Sequence, residues 1–498
     1  MRQGARDPRA ARATSPRSDA LLLALDAGTT GVRAMVLDAA GVPRAVAYRE
    51  TLPDYPAPGR VEHDPERLWT AVVGVLSAAV RESGAAALRA LGLTTQRGTA
   101  VVWDAATGRA VHPPISWQDA RAADRCRALM SEGMFVSPLT AASKVEWILD
   151  RVDADRSGLA SGRLRCGTLD AWLAWRLSDG RIFATDASNA SCSGFYDLLG
   201  RGWAANVLAA MRIPERALPP IVDSSAELGA LAVPGLPAIP IAALVGDQQA
   251  AMMGELRLAP GEVKITYGTS AMLDLNAGPE PLFATTGAYP LVLWRRDGVT
   301  TFCLEGTAIT AGAAVTWLRD GLGVLATPEE SGPVAASVPD AGGVWAIPAF
   351  QGLGTPYMDT AARAVVGGLS RGATRAHVVR AILEGIAWRC REVYDALRAD
   401  TPHPAPATLR ADGGAAANDV LLQLQADALG IPVERPAVLQ AGALGAAYLA
   451  GLAVGVWRSA DELADAWRRA RVFEPRIGAD ERETRFAAWR RRVQAALP

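Results

Sequence analysis

The chain is almost without lysine. Lys144 and Lys264 are its only two lysines among 51 basic residues, arginine taking every other such position. Together with the abundance of alanine, this reads as a coding bias and not as function. Asp and Glu number 52, so the formal net charge is −1. A balance so close to zero excludes nucleic-acid or membrane-surface binding that rests on bulk electrostatics. The five cysteines, Cys126, Cys166, Cys192, Cys303 and Cys390, lie far apart with no C-x-x-C pair. That excludes a disulfide framework and a thiolate zinc site, and it fits a reducing, cytoplasmic setting. Long apolar runs are also missing. Ala71 to Val80 is among the longest, well short of the ~20 residues that span a bilayer. The Arg-rich stretch 1–19 has no apolar core behind it in signal-peptide style, so a disordered tail is expected there. No G-x-x-x-x-G-K-[ST] and no H-R-D or D-F-G motif occurs, which excludes P-loop and protein-kinase enzymes. One G-x-G-x-x-A run, Gly321 to Ala326, follows a helical pattern and not a strand, and is discarded on that ground.

What is present organises around the middle of the chain. With 498 residues, two or three domains are expected. The apolar run Ile239 to Val245 reads as a strand that stops at Gly246, and Ala250 to Met253 read as the start of a helix. Asp247, Gln248 and Gln249 fall between them. In an open α/β sheet a carboxylate at that mouth faces a ligand crevice.

Two strand–turn–strand units echo each other. Ala20 to Leu25 runs into Asp26-Ala-Gly28-Thr29-Thr30-Gly31 and returns through Val32 and Arg33. Gly261 to Tyr267 runs into Gly268-Thr269-Ser270 and returns through Met272. Backbone N–H groups, hydroxyls and an arginine at such turns suit phosphate oxygens. Asp26 at the strand end suits a Mg²⁺ held through water. One such unit opening each half predicts a duplicated fold with a polyphosphate held between the copies.

Elsewhere, Asp64-Pro65 reads as a helix N-cap and first turn, and Thr374 as the N-cap of a helix running to Arg398. Residues 185–191 read as a polar capping loop, 305–320 as one long helix, and Trp345 to Phe350 as a strand. Trp467 to Leu497 reads as one Arg-rich amphipathic helix. Leu409 to Asp412 reads as a strand followed by Gly413-Gly414 and a helix. Paired glycines let a flat ligand approach the backbone, and Asn418, one turn into that helix, suits an adenine or ribose. Ala441 to Val454 is a small-residue helix suited to close packing.

Several motifs together resemble the FGGY carbohydrate kinases, with the glycerol kinases as the nearest subfamily. They are Leu25-Asp-Ala-Gly-Thr-Thr, Val61-Glu-His-Asp-Pro, Thr95-Gln-Arg-Gly-Thr, Trp117-Gln-Asp, Gly246-Asp-Gln-Gln-Ala-Ala and Thr266-Tyr-Gly-Thr. Leu304-Glu-Gly, Ala311-Gly-Ala-Ala-Val-Thr-Trp, Asp412-Gly-Gly-Ala and Ala443-Leu-Gly-Ala-Ala-Tyr follow in the family's order. The resemblance implies an α/β fold of two ribonuclease-H-like (actin/hexokinase-type) domains around a central cleft. Residues 20–253 are then the N-terminal, sugar-binding domain and 254–498 the C-terminal, nucleotide-binding domain. It implies ATP and Mg²⁺ as cofactors, a small polyol or sugar as substrate, and a homodimer or homotetramer. Asp247 becomes the general base, with Arg97, Trp117 and Gln248 on the polyol. Thr29, Thr30, Gly31, Arg33, Thr269, Gly312 and Thr316 become phosphate-side residues, Gly414, Ala415 and Asn418 the adenosine pocket, and Asp26 the metal-side carboxylate.

The chain departs from the glycerol-kinase pattern at four of these places. Gly98 stands where an acid is usual, Leu139 where a tyrosine is usual, Met272 in place of a phenylalanine and Thr316 in place of a glutamine. The first three are expected to open the substrate pocket. The resemblance implies glycerol or a related small polyol as the acceptor, while a pocket so opened points to the alternative, a four- or five-carbon polyol or ketose. An inactive actin-like ATP sensor is the reading from another class.

Overall fold

The computed structural model describes residues 19–497; the Arg-rich tail expected over 1–19 lies outside them except for Asp19. Two sheets carry the chain. The first has the order Ser225–Ala230, Pro240–Gly246, Leu88–Thr95, Leu21–Ala27, Gly31–Asp38, Pro43–Glu50. The second has the order Tyr289–Arg296, Val299–Ala308, Ala271–Gly278, Val263–Tyr267, Leu409–Asp412, Val433–Pro436, Arg469–Phe473.

The same five-strand pattern lies inside both. Leu21–Ala27 pairs antiparallel with Gly31–Asp38 and parallel with Leu88–Thr95, which in turn runs parallel to Pro240–Gly246. In the second sheet Val263–Tyr267 pairs antiparallel with Ala271–Gly278 and parallel with Leu409–Asp412, itself parallel to Val433–Pro436. The expected duplication is therefore real, and the fold is two α/β units of ribonuclease-H type. The central strands are mostly apolar because both faces of each sheet are covered. Leu22, Leu23, Leu25 and Leu93 are fully buried, as are Ile265, Leu273 and Leu275.

Helix Pro65–Ser83 covers the first sheet. Asp64 caps it, its side chain accepting from the N–H groups of Glu66 and Arg67. Helix Arg375–Ala399 covers the second sheet and opens with a capping box between Thr374 and His377. Helix Asp247–Gly254 leaves the last parallel strand of the first unit, and helix Ala441–Ala453 its counterpart. These two cross at backbone contact. A Cβ on Gly254 would collide with the Ala441 carbonyl, and one on Gly445 with the Ala250 carbonyl. Helix Ala441–Ala453 also lies on the first sheet, where a Cβ on Gly92 would strike the Ala446 carbonyl. Small residues bring the backbones this close.

Several expectations need correction. Residues 305–308 are not helical. They end the strand Val299–Ala308, with Glu305 opposite Asp274, and the helix is only Gly312–Asp320. The stretch read as a helix from Trp467 starts with the strand Arg469–Phe473, added to the sheet edge beside Val433–Pro436; the helix is Ala479–Ala496. The strand expected over 345–350 ends at Ile347. Residues 185–191 do cap, as expected, but as a short helix and not a loop: Asp186 caps Ala187–Ser191, and 185–190 are buried. No helix among the described residues is long and apolar enough to cross a membrane.

Candidate active site

Asp26 sits at the end of its strand, directly opposite Arg33. Arg33 Nη1 is 3.5 Å from Asp26 Oδ2. Between them the turn closes with the Gly28 N–H donating to the Gly31 carbonyl at 3.0 Å. The Trp117 indole N–H donates to Thr29 Oγ1 at 2.9 Å. Gln96 braces the turn from below, its side-chain amide donating to the Gly28 carbonyl at 3.3 Å. Thr30 is exposed and Gly31 half-buried. Burial lifts the Asp26 carboxyl to about 6; Arg33 pulls it down, and the Asp247 carboxylate pushes it further up.

The second turn is held by a helix start. Gly268 N–H donates to the Ser270 carbonyl at 2.9 Å. The N–H groups of Ala311 and Ala313 donate to the Thr269 carbonyl, and that of Gly312 to the Gly268 carbonyl, all at 3.0 Å. Gly312 is required here, since a Cβ would lie 2.5 Å from the Gly268 oxygen. Thr316, one turn further, is exposed.

Beyond the strand Leu409–Asp412, Gly413 has φ +88°, and a Cβ on it would meet the Tyr267 carbonyl. Gly414 differs: a Cβ there would meet nothing within 4 Å. Its missing side chain therefore leaves open space over the loop, a cradle suited to a flat base. Asn418 is not one turn into the helix. A 3₁₀ turn, Gly414–Ala417, intervenes, and Asn418 is the N-cap of helix Asp419–Leu429. Its oxygen accepts from the N–H groups of Val420 and Leu421, and its Nδ2 donates to Ser331 Oγ at 3.0 Å. Ala415 beside it is half-buried.

The strand Pro240–Gly246 delivers Asp247 as the first residue of the next helix. The strand end is latched by the Gly246 N–H, which donates to Ser188 Oγ at 2.8 Å. Gly246 must lack a side chain, because a Cβ would sit 2.8 Å from Arg97 Cδ. That close approach lets Arg97 Nε reach 3.0 Å from Asp247 Oδ1. Asp247 also accepts from the Gln248 N–H at 2.8 Å, and its side chain stays 30 % exposed, open to a ligand.

Two charged residues here were not singled out from the sequence. Arg97 Nη1 lies 2.5 Å from Glu305 Oε2, a carboxylate carried by the second unit. Burial raises the Glu305 carboxyl to about 7, with Arg97 opposing the rise and Asp274 adding to it. Lys264 Nζ contacts Gln248 Oε1 at 2.5 Å. The Leu304-Glu-Gly motif and the rarity of lysine were the available signals for these two.

The pocket does not open where Gly98 replaces an acid. Gly98 has φ +69°, and a Cβ on it would collide with the Leu139 carbonyl and come 3.5 Å from Trp117 Cβ. The Leu139 backbone fills that space, while the Leu139 side chain is exposed. Met272 is held by Thr307, whose hydroxyl lies 3.4 Å from its sulfur.

The donor set suits a hard divalent cation. Asp26 is a half-buried carboxylate whose ionisation a second carboxylate, Asp247, opposes, so positive charge is wanted there. No cluster of three His, Cys, Asp or Glu residues is gathered for a metal among the described residues. A cation would then share its coordination with phosphate oxygens and water, as Mg²⁺ commonly does.

Comparison with known proteins agrees with this geometry. Residues 21–254 match the N-terminal domain of the FGGY family of carbohydrate kinases, and residues 263–454 its C-terminal domain. A glycerol kinase of Dechloromonas aromatica is 44% identical over 494 residues, covering 97% of this chain and 98% of that protein. Among solved structures, a Plasmodium falciparum glycerol kinase with ADP superposes with a TM-score of 0.88 at 27% identity, covering 96% of this chain and 98% of its own. A xylulose kinase of Rhodospirillum rubrum gives a TM-score of 0.79 at 25% identity, covering 95% and 99%. The chain belongs to the FGGY family of carbohydrate kinases, ATP-dependent phosphotransferases with an alcohol group as acceptor.

Proposed function

We propose that this protein transfers the γ-phosphoryl group of ATP to a hydroxyl of glycerol in the cytoplasm, with Asp247 as general base. The observation that carries the reading is the placement of Asp247 at a strand–helix junction, Arg97 Nε 3.0 Å from its carboxylate and Gln248 next in the chain. Two further facts favour glycerol over a longer acceptor. The relative at 44% identity is named glycerol kinase, and the Leu139 carbonyl occupies the space at Gly98.

In this reading Arg97, Trp117 and Gln248 hold the polyol. Asp247 accepts the proton of the attacking hydroxyl as its oxygen bonds to the γ-phosphorus, while the bond from that phosphorus to the bridging oxygen of ADP breaks. General-base help of this kind is worth about 10² to 10⁴ in rate. Thr29, Thr30, Gly31, Arg33 and Thr269 cradle the polyphosphate, with Gly312 and Thr316 alongside. Gly414, Ala415 and Asn418 border the adenosine. Asp26 is the residue to hold Mg²⁺, which when bound neutralises charge on the β- and γ-phosphate oxygens. Residues 20–253 and 254–498 act as two bodies whose closure excludes water and protects the phosphoryl group from hydrolysis.

The test is ADP release by the purified protein against glycerol, erythritol, the pentitols and the ketopentoses. The expected result is the highest kcat/KM with glycerol. A higher value for a four- or five-carbon substrate would overturn the assignment.

A further inference from the structure

The two lysines of this arginine-rich chain are both fully buried. A compact ammonium differs from a planar guanidinium in geometry, so these are positions where a replacement by arginine would not fit the same neighbours. Lys144 donates to the Trp117 carbonyl at 3.2 Å, behind the cleft. Lys264, on the strand Val263–Tyr267, has a fuller set of contacts.

Lys264 Nζ has three oxygen neighbours. It donates to Gln248 Oε1 at 2.5 Å and to Thr266 Oγ1 at 2.7 Å. It also stands 2.7 Å from Asp274 Oδ2, at ion-pair distance, although neither Asp274 oxygen receives a hydrogen bond of good geometry. Lys264 and Asp274 are cross-strand partners, both with no exposed surface. Thr266 in turn donates to Asp412 Oδ2 at 3.1 Å, at the head of the Gly413-Gly414 loop.

The consequence falls on Gln248. A glutamine amide offers an acceptor at one end and two donors at the other, and the ends can exchange by rotation. Here the oxygen is committed to an ammonium, and rotation would set NH₂ against a buried positive charge. The Nε2 end makes no hydrogen bond among the described residues, and Gln248 is half-exposed at the cleft beside Asp247.

We propose that Lys264 is a positioning residue that locks Gln248 as a hydrogen-bond donor to one non-reacting hydroxyl oxygen of the polyol. The inference rests on the reading of Gln248 as a polyol contact. It makes recognition of that hydroxyl a property of the Gln248–Lys264 pair and not of Gln248 alone.

The test compares kcat and KM for glycerol, propane-1,2-diol and propane-1,3-diol, each diol lacking one hydroxyl. The paired variant Lys264→Met/Asp274→Leu removes both buried charges together, so no lone carboxylate is left behind. Its KM for glycerol is expected to rise about tenfold or more with kcat within about threefold, and its preference for glycerol over at least one diol to collapse. Adding Gln248→Ala to it is expected to cost less than about threefold further, since the two sites act as one unit. Gln248→Glu gives a second route if the paired variant does not fold. It keeps an acceptor for Lys264 but has no donor, and is expected to raise KM as much as Gln248→Ala does. Multiplicative effects of the paired variant and Gln248→Ala, or an unchanged KM in Gln248→Glu, would overturn the inference while leaving glycerol kinase activity intact. No turnover of any polyol by the unaltered protein would overturn the underlying reading, and the inference with it.

Discussion

Arg97 and Glu305, 208 residues apart, meet with Nη1 2.5 Å from Oε2. The same guanidinium holds Asp247 through Nε. One arginine thus joins the candidate base on the first unit to a carboxylate on the second.

This pairing makes the site sensitive to acid. The Glu305 carboxyl is raised to about 7 by burial, so lowering the pH through that value protonates it and leaves Arg97 without one of its two carboxylates. The kcat/KM for glycerol is expected to fall as pH drops through about 7. Glu305→Gln is expected to lower kcat/KM roughly tenfold at pH ~8 and to flatten this acid limb, since a lost charged hydrogen bond costs about 1.5–3 kcal/mol. A pH–rate profile of the two proteins is the check.

Asp26 carries a stability cost with a defined sign. Its folded value of about 6 lies above the ordinary aspartate value of 3.8. The folded state therefore binds the proton more tightly, and the associated stability is present below about pH 4 and lost as pH rises through about 6. Asp26→Asn is expected to match the unaltered protein in melting near pH 4 and to exceed it near pH 7.5 by on the order of 1–3 kcal/mol, while losing phosphoryl transfer. Thermal melts at the two pH values decide it. Equal melting at both would show that Asp26 is not held against its ionisation.

The helix crossing at Gly445 is expected to be intolerant. Gly445→Ala drives a methyl into the Ala250 carbonyl and should destabilise by about 1–3 kcal/mol. Because helix Asp247–Gly254 is the partner, glycerol turnover should also fall. Gly59→Ala serves as a control, its Cβ position being open though its φ of +73° carries a small strain of its own. Melting temperatures of both variants test the contrast.

Much of this was legible in the chain itself, and the failures have physical causes. The hairpins around Gly28 and Gly268, and the passage from Ile241 through Gly246 to Asp247, follow from apolar runs broken by glycine and a carboxylate. Those signals are local. Glu305 to Ala308 read as helix because a short Gly/Thr/Ala run has no decisive period; pairing with Ala271–Gly278 makes it a strand. Arg469–Phe473 is a strand for the same reason, its partner being Val433–Pro436. The Arg97–Glu305 ion pair spans the two units, and no spacing in the sequence announces it. The space at Gly98 is not legible in the sequence because a missing side chain suggests an opening, whereas the Leu139 carbonyl occupies it. Lysine rarity in the sequence speaks only of composition, while burial of both lysines gives the two that remain a structural meaning.

The most direct test of the account is the steady-state rate of Asp247→Asn with glycerol and ATP. The side chain keeps its size and loses its capacity to accept the proton. A fall in kcat of about 10²-fold or more, with ATP binding retained, is the result predicted for a general base. A kcat within about threefold of the unaltered protein would contradict that role for Asp247.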